Sequence, residues 1–275
     1  MDSRFQQRLE HAHQQCLKEF KGLTTAQSPE IIYKYREWNN SKHQEILTGG
    51  ALYFPSAQSF DDVLDCRPPE RFPETEEEKY EAVKNTIEHL MSNPHFKGIQ
   101  IDKSFDFKID SPLYDQEKFK AITNDVLGDF LSKCGVLSMT PDCQNKRMWE
   151  NYGDNYHGFC LGFKVTALQN AMAPMFPVIY VDELPPIDEF NEKNEIYMIK
   201  RFFLKLMEWS FEKEFRLIKL FGKKVTAEER NIKFPPESLV EIILGKDMPQ
   251  EHKEAIRFIA QQKYPNAKII ELSEN

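Results

Sequence analysis

The sequence predicts an α+β protein with a mixed, mostly antiparallel sheet core, flanking helices and helical insertions. Three observations carry that expectation. Short apolar runs at Ile31–Arg36, Cys134–Met139, Gly158–Phe163 and Leu239–Leu244 have the length and composition of strands. Residues 76–92, 115–133 and 250–263 carry helical patterning. The two kinds of segment do not alternate regularly, as the βαβ units of a parallel sheet would. No repeat or low-complexity linker divides the chain. One α+β domain over 29–275, preceded by a helical extension over 1–28, is the simplest organisation.

The elements follow in order. Residues 3–21 place apolar groups on one helical face and end at Gly22. Ile31–Arg36 is a strand after Pro29. Residues 40–47 form a short helix closed by Gly49-Gly50, and Ala51–Phe54 is a second strand broken by Pro55. Residues 65–73 contain Pro68, Pro69 and Pro73 and read as a turn-rich connection. Residues 94–113 read as a loop or insertion. Residues 145–152 form a short helix, and 178–181 a strand ahead of Pro185-Pro186. Ile196, Ile199, Phe203, Leu206 and Met207 mark a helix leading into a charged strand. Residues 267–272 complete the chain as a last strand.

Composition bounds the function. With 40% hydrophobic and 29% charged residues the chain is globular rather than disordered. Its 36 basic and 44 acidic residues give a net charge of −8, so nucleic acid would be bound only through a local patch. The polar start and the absence of a long apolar window predict neither a signal peptide nor a membrane span. Five irregularly spaced cysteines fit reduced thiols, hence a cytoplasmic protein.

The densest chemistry lies in Trp209-Ser-Phe-Glu-Lys-Glu-Phe-Arg216. As a strand it turns Glu212, Glu214 and Arg216 to one face and Phe211, Phe215 and Leu217 to the other. Two carboxylates and a guanidinium beside a core must be paired, so this face is either an ion-pair network or the floor of a site. No Walker loop, GxGxxG, HExxH or GxSxG occurs. Cys143, His157 and Cys160 lack the paired spacing of a zinc site, and His157 and Cys160 fall on opposite strand faces, which opposes a catalytic dyad. No metal is expected.

Four segments together resemble one bacterial family, the domain-of-unknown-function family 2971. They are Tyr33–Arg36, Leu52–Asp65, Met148–Gly158 and Trp209–Arg216. Asp61, Val63, Gly153 and Phe211 depart mildly from the family pattern, and the charged positions are intact. The family name supplies no activity. A more distant resemblance, to ADP-ribosyltransferase-like folds, rests on the opening strand, short helix ending in Gly-Gly, and strand. It implies NAD as substrate and a reaction of ADP-ribosyl transfer or NAD glycohydrolysis. It implies Tyr35 or Arg36 on the NAD ribose or phosphate, Tyr53 or Ser56 framing the nicotinamide, and Glu214 stabilising an oxocarbenium-like transition state. Glu212 would activate the acceptor. Related folds suggest a toxin-like effector in phage defence acting on an unknown acceptor macromolecule.

Bland readings stand beside these. Arg36 fits a salt-bridge partner as well as a ligand contact, and Glu214 and Arg216 fit a structural network as well as a site. Trp149 and Tyr152 are at core-or-rim spacing, although an aromatic pair could also hold a nucleotide. Ser56 beside Pro55 suits a cap or turn. The rival function is a non-catalytic sensor of a nucleotide or another phosphorylated small molecule. A nuclease is disfavoured by the lack of a metal-binding carboxylate cluster.

Overall fold

A computed structural model describes residues 28–92, 115–188 and 194–273. The expected helix at 3–21 and the segment 94–113 lie outside the described residues. The chain folds as α+β, with mixed and mostly antiparallel sheets. The strands are β1 (Ile31–Arg36), β2 (Ala51–Tyr53), β3 (Cys134–Met139), β4 (Phe159–Lys164), β5 (Met175–Pro177), β6 (Ile179–Val181), β7 (Leu204–Leu206), β8 (Phe215–Leu220), β9 (Asn231–Lys233), β10 (Leu239–Leu244) and β11 (Lys268–Glu271). The helices are α1 (Ser41–Gly49), α2 (Glu76–Ser92), α3 (Gln116–Ser132), α4 (Lys146–Tyr152), α5 (Val165–Ala171), α6 (Asn194–Phe202) and α7 (Gln250–Lys263).

Two sheets position the site. The first has the order β1-β4-β10-β11, antiparallel except for the last pair. The second is β3-β8-β5, fully antiparallel. They touch where Tyr33 and Thr140 exchange backbone hydrogen bonds of 2.7 and 3.0 Å. Strand alternation then decides what each face of β1 meets. Ile32 enters the main core with Leu52, Phe54, Leu161 and Leu217. Tyr33 and Tyr35 turn the other way, against Trp149 and Cys160. Lys34 and Arg36 therefore share the face of Ile32 beyond the apolar contacts.

Local signals set several boundaries. Asn40 caps α1 by accepting from the Lys42 amide, and Gly50 ends it in the left-handed region at φ 66°. Gly158 is required by close approach: a Cβ there would lie 2.3 Å from the Arg36 carbonyl oxygen. Gly158→Ala is expected to push β1 away from β4 at its cleft end. It should cost about 1–3 kcal/mol, as overpacking does, measured as a lowered urea midpoint at constant m-value.

Two sequence expectations need correction. The helix expected to include Leu206 and Met207 stops at Phe202, and Leu204–Leu206 becomes β7, paired in parallel with β6. Phe203-Leu-Lys-Leu alternates as well as it fits a helix, and the available partner strand decides. The charged segment is not one strand. Met207–Glu212 is a 3₁₀ helix, Lys213 turns it in the left-handed region at φ 46°, and β8 begins only at Phe215. Its closing bond runs from the Lys213 amide to the Ser210 carbonyl, and the Tyr180 hydroxyl accepts from the Glu214 amide at 2.8 Å. Phe215 and Leu217 pack on the core as expected. Phe211 instead lies beneath the Arg147 guanidinium, 3.6 Å from its ring centre.

Candidate functional site

A cleft of about 330 Å³ opens where the two sheets meet. Lys34 and Arg36 line it from β1, Ser138 and Thr140 from the end of β3, and Tyr152 from α4. Lys205, Trp209, Glu212 and Glu214 line it from β7 and the turn that follows, and Asp61, Asp62 and Asp65 from the loop after β2.

A buried ion network forms the floor. The fully buried Arg216 donates from Nε to Glu214 Oε1 at 2.7 Å and from Nη2 to Glu214 Oε2 at 2.9 Å and Asp65 Oδ2 at 2.8 Å. Its Nη1 donates to the Phe202 carbonyl at 2.9 Å. Lys205 Nζ donates to Glu212 Oε2 at 2.6 Å and Glu214 Oε2 at 3.2 Å, and lies 3.6 Å from Asp65 Oδ2. Tyr152 donates its hydroxyl proton to Glu212 Oε1 at 2.5 Å. The tight turn at 207–214 lets Glu212 and Glu214 reach one ammonium. Asp65, Glu212 and Glu214 against Lys205 and Arg216 leave one net negative charge.

The electrostatics follow from this geometry. Burial works against the Glu214 carboxylate, but Arg216 and Lys205 outweigh it and hold the group well below the usual carboxylate range. Burial also disfavours the Lys205 ammonium, yet Glu214, Asp65 and Glu212 drive its pKa upward. Burial and the neighbouring Glu212 carboxylate keep Tyr152 protonated.

Opposite this network lie two basic side chains of another kind. Lys34 donates to the Ser138 carbonyl, and Arg36 donates from Nη1 to the Tyr35 carbonyl at 3.1 Å. Arg36 Nε is buried without a hydrogen-bond partner among the described residues. Burial lowers the pKa of both, with Arg36 adding to the effect on Lys34. Both side chains bond only neutral carbonyls among the described residues, whereas Glu212 and Glu214 are bonded to Tyr152, Lys205 and Arg216.

His43 on α1 shares this environment. Its Nδ1 lies 3.5 Å from Glu37 Oε1, and burial, then Arg36, pull its pKa down to about 4. An unfolded imidazole accepts its proton near 6.5. As pH falls from about 6.5 to about 4, the unfolded chain is protonated first and stability is lost. The loss should be on the order of 2 kcal/mol after allowance for solvent screening, and His43→Gln should remove it. Urea midpoints of both proteins at pH 7 and pH 4.5 measure the difference.

The structure divides the residues singled out from sequence. Arg36, Tyr152, Glu212 and Glu214 line one cleft. Tyr35 reaches its lining, but the ring is buried edge-on against Trp149 and the hydroxyl donates to the Asp142 carbonyl at 2.7 Å. Arg216 lies beneath the floor, with Glu214, Asp65 and Phe202 around it. Three others lie elsewhere. Trp149 is fully buried, stacked on Tyr156 and donating to the Cys143 carbonyl. Tyr53 is exposed on β2, away from the cleft lining. Ser56 caps the 3₁₀ turn Ala57–Ser59 and donates to the Leu131 carbonyl at 3.0 Å.

Sequence reasoning missed Lys34, Lys205 and Asp65. Asp65 closes the Leu52–Asp65 segment already singled out, so its charge beside an apolar run was a usable signal. Lys205 between Leu204 and Leu206 was another, once that run is read as a strand.

Among the described residues no helix is long and apolar enough to cross a membrane. No curated protein sequence matches the chain. Two solved structures resemble the fold distantly. One is Thermus sp. 2.9 DarT in complex with ADP-ribosylated ssDNA, 14% identical, with TM-score 0.32, covering 90% of this chain and 96% of that one. The other is the same protein in complex with carba-NAD+, 12% identical, with TM-score 0.32, covering 90% and 97%. Of the four segments that resemble the family, Met148–Gly158 and Trp209–Arg216 fall within one matched stretch: residues 148–217 match the family model described as Protein of unknown function (DUF2971).

Proposed function

We propose that this cleft binds NAD and breaks its nicotinamide–ribose bond, passing ADP-ribose to an acceptor or to water. The observation that carries the reading is the division of the cleft: the basic side chains Lys34 and Arg36, with no carboxylate within ion-pair distance among the described residues, on one wall, and a fixed carboxylate cluster with one excess negative charge on the other. Arg36 is suited to the pyrophosphate, because a guanidinium with an unsatisfied Nε can fork onto phosphate oxygens. Breaking the glycosidic bond builds positive charge on the ribose. Glu214, held ionised and immobile by Arg216 and Lys205, offers a preorganised anion that needs no reorganisation as that charge appears. In this reading Glu212, now bonded to Tyr152 and Lys205, takes a proton from the attacking hydroxyl or water.

A second reading has one observation in its favour: both oxygens of Glu214 are already engaged by Arg216 and Lys205. A cleft whose carboxylates serve only its architecture would be a sensor of a phosphorylated ligand bound through Arg36 and Lys34. Incubation of the protein with NAD, followed by chromatography for free nicotinamide, separates the two. Nicotinamide release above the uncatalysed rate supports cleavage. Calorimetric binding of NAD with the dinucleotide left intact, in the presence of a cell extract as acceptor source, supports the sensor. Absence of binding at 1 mM, equivalent to only about −4 kcal/mol, removes both.

A further inference from the structure

We propose that Lys34 is a nucleophilic amine that condenses with the open-chain aldehyde of a phosphorylated aldose, whose phosphate is held by Arg36. The two lysines of the cleft have opposite surroundings. Lys205 has three carboxylates within 3.6 Å, Asp65, Glu212 and Glu214. Lys34 has no carboxylate within ion-pair distance among the described residues, and it donates to the neutral Ser138 carbonyl. Arg36, two residues along the same strand, is its nearest cationic neighbour by alternation, with Lys205 beyond. Glu214 and Glu212 act on it only at longer range, and burial and Arg36 prevail, so its pKa is lowered and its free amine is more accessible than that of an ordinary lysine. Groups pushed apart in this way within one cleft take different chemical roles.

The reaction balances without an added reactant. The Lys34 Nζ lone pair attacks the aldehyde carbon, a C–N bond forms, and the C=O π pair moves to oxygen, which takes a proton. The nitrogen gives one up. The carbinolamine then loses water as the nitrogen lone pair completes the C=N bond, so the sum is amine plus aldehyde giving imine plus water. The resulting iminium stands opposite the excess carboxylate charge of the floor. Hydrolysis of NAD would produce such an aldose, ADP-ribose; that choice of ligand rests on the proposed NAD cleavage, whereas the amine chemistry does not.

The test supplies the sugar directly. The full chain is incubated with ADP-ribose, ribose 5-phosphate or ribose and sodium cyanoborohydride, which reduces an imine to a stable secondary amine, and adducts are located by peptide mass spectrometry. Lys34 should be labelled by the two phosphorylated sugars at least about tenfold faster than any exposed lysine, because a lowered pKa leaves more free amine at neutral pH. Ribose should show no such preference. Arg36→Gln should reduce the labelling by ADP-ribose and ribose 5-phosphate to the ribose rate, and Lys34→Arg should abolish it at that position alone. If Arg36→Gln fails to fold, inorganic phosphate added to the native protein should slow Lys34 labelling instead. Labelling spread evenly over exposed lysines, equal rates with ribose and ribose 5-phosphate, or no competition by phosphate overturns the proposal. Labelling without nicotinamide release removes only the NAD reading, and release without labelling removes only the amine.

Discussion

Arg216→Met is expected to remove a large part of the protein's stability. The substitution keeps much of the side-chain length but strips Asp65 and Glu214 of a fully buried guanidinium that binds both. Lys205 alone would face three carboxylates. Breaking a buried pair by removing one partner costs on the order of 3–5 kcal/mol, a large part of the 5–15 kcal/mol that holds a typical domain together. Urea unfolding followed by circular dichroism measures the loss. Asp65→Asn added to Arg216→Met should recover part of it, because the orphaned charge is then removed. A loss below about 1 kcal/mol would mean that Lys205 suffices and that the network is redundant.

Glu212→Gln should reduce the rate of nicotinamide release by at least two powers of ten, with a melting temperature within a few degrees of the native protein. Glutamine keeps the shape and can still accept from Tyr152 or Lys205. Glu214→Gln is a less discriminating variant. Its carboxylate takes two bonds from Arg216 and one from Lys205, so charge removal should lower turnover and also destabilise the fold by about 3 kcal/mol. Turnover and urea midpoint measured on both variants give a pattern that the sensor reading does not share. There, Glu212→Gln leaves ligand binding intact and there is no turnover to lose.

Much of this was legible in the sequence, for identifiable reasons. α7, predicted at 250–263, and β3, predicted at 134–139, emerged at those residues because local pattern and tertiary demand agree there. The Gly49-Gly50 stop was readable because only the left-handed region ends that helix. The segment 204–214 was misread because its structure depends on distant partners. Leu204–Leu206 needs β6 beside it, and the turn at Lys213 is held by groups that meet around Lys205 and Tyr180. Alternation correctly gathered Glu212, Glu214 and Arg216, yet a 3₁₀ turn rather than a pleat brings them together. Lys34 was hidden by its neighbours. Within Tyr33-Lys-Tyr-Arg it looks like a surface charge, and only the crossing of β1 with the end of β3 encloses it.

The wiring of the first sheet also bears on how the protein comes into being. β1 is made early, at residues 31–36, but its partner β4 lies at 159–164, and β4 is completed on its other edge by β10 at 239–244. The carboxylates of the opposite wall come from residues 212 and 214. A chain emerging from the ribosome therefore carries Lys34 and Arg36 long before Glu212 and Glu214 exist. At roughly 5–20 residues per second, the interval between synthesis of Arg36 and of Leu244 is on the order of ten seconds or more. Throughout that time the protein has no assembled cleft, and whatever chemistry the cleft performs begins only after residue 244 has been made.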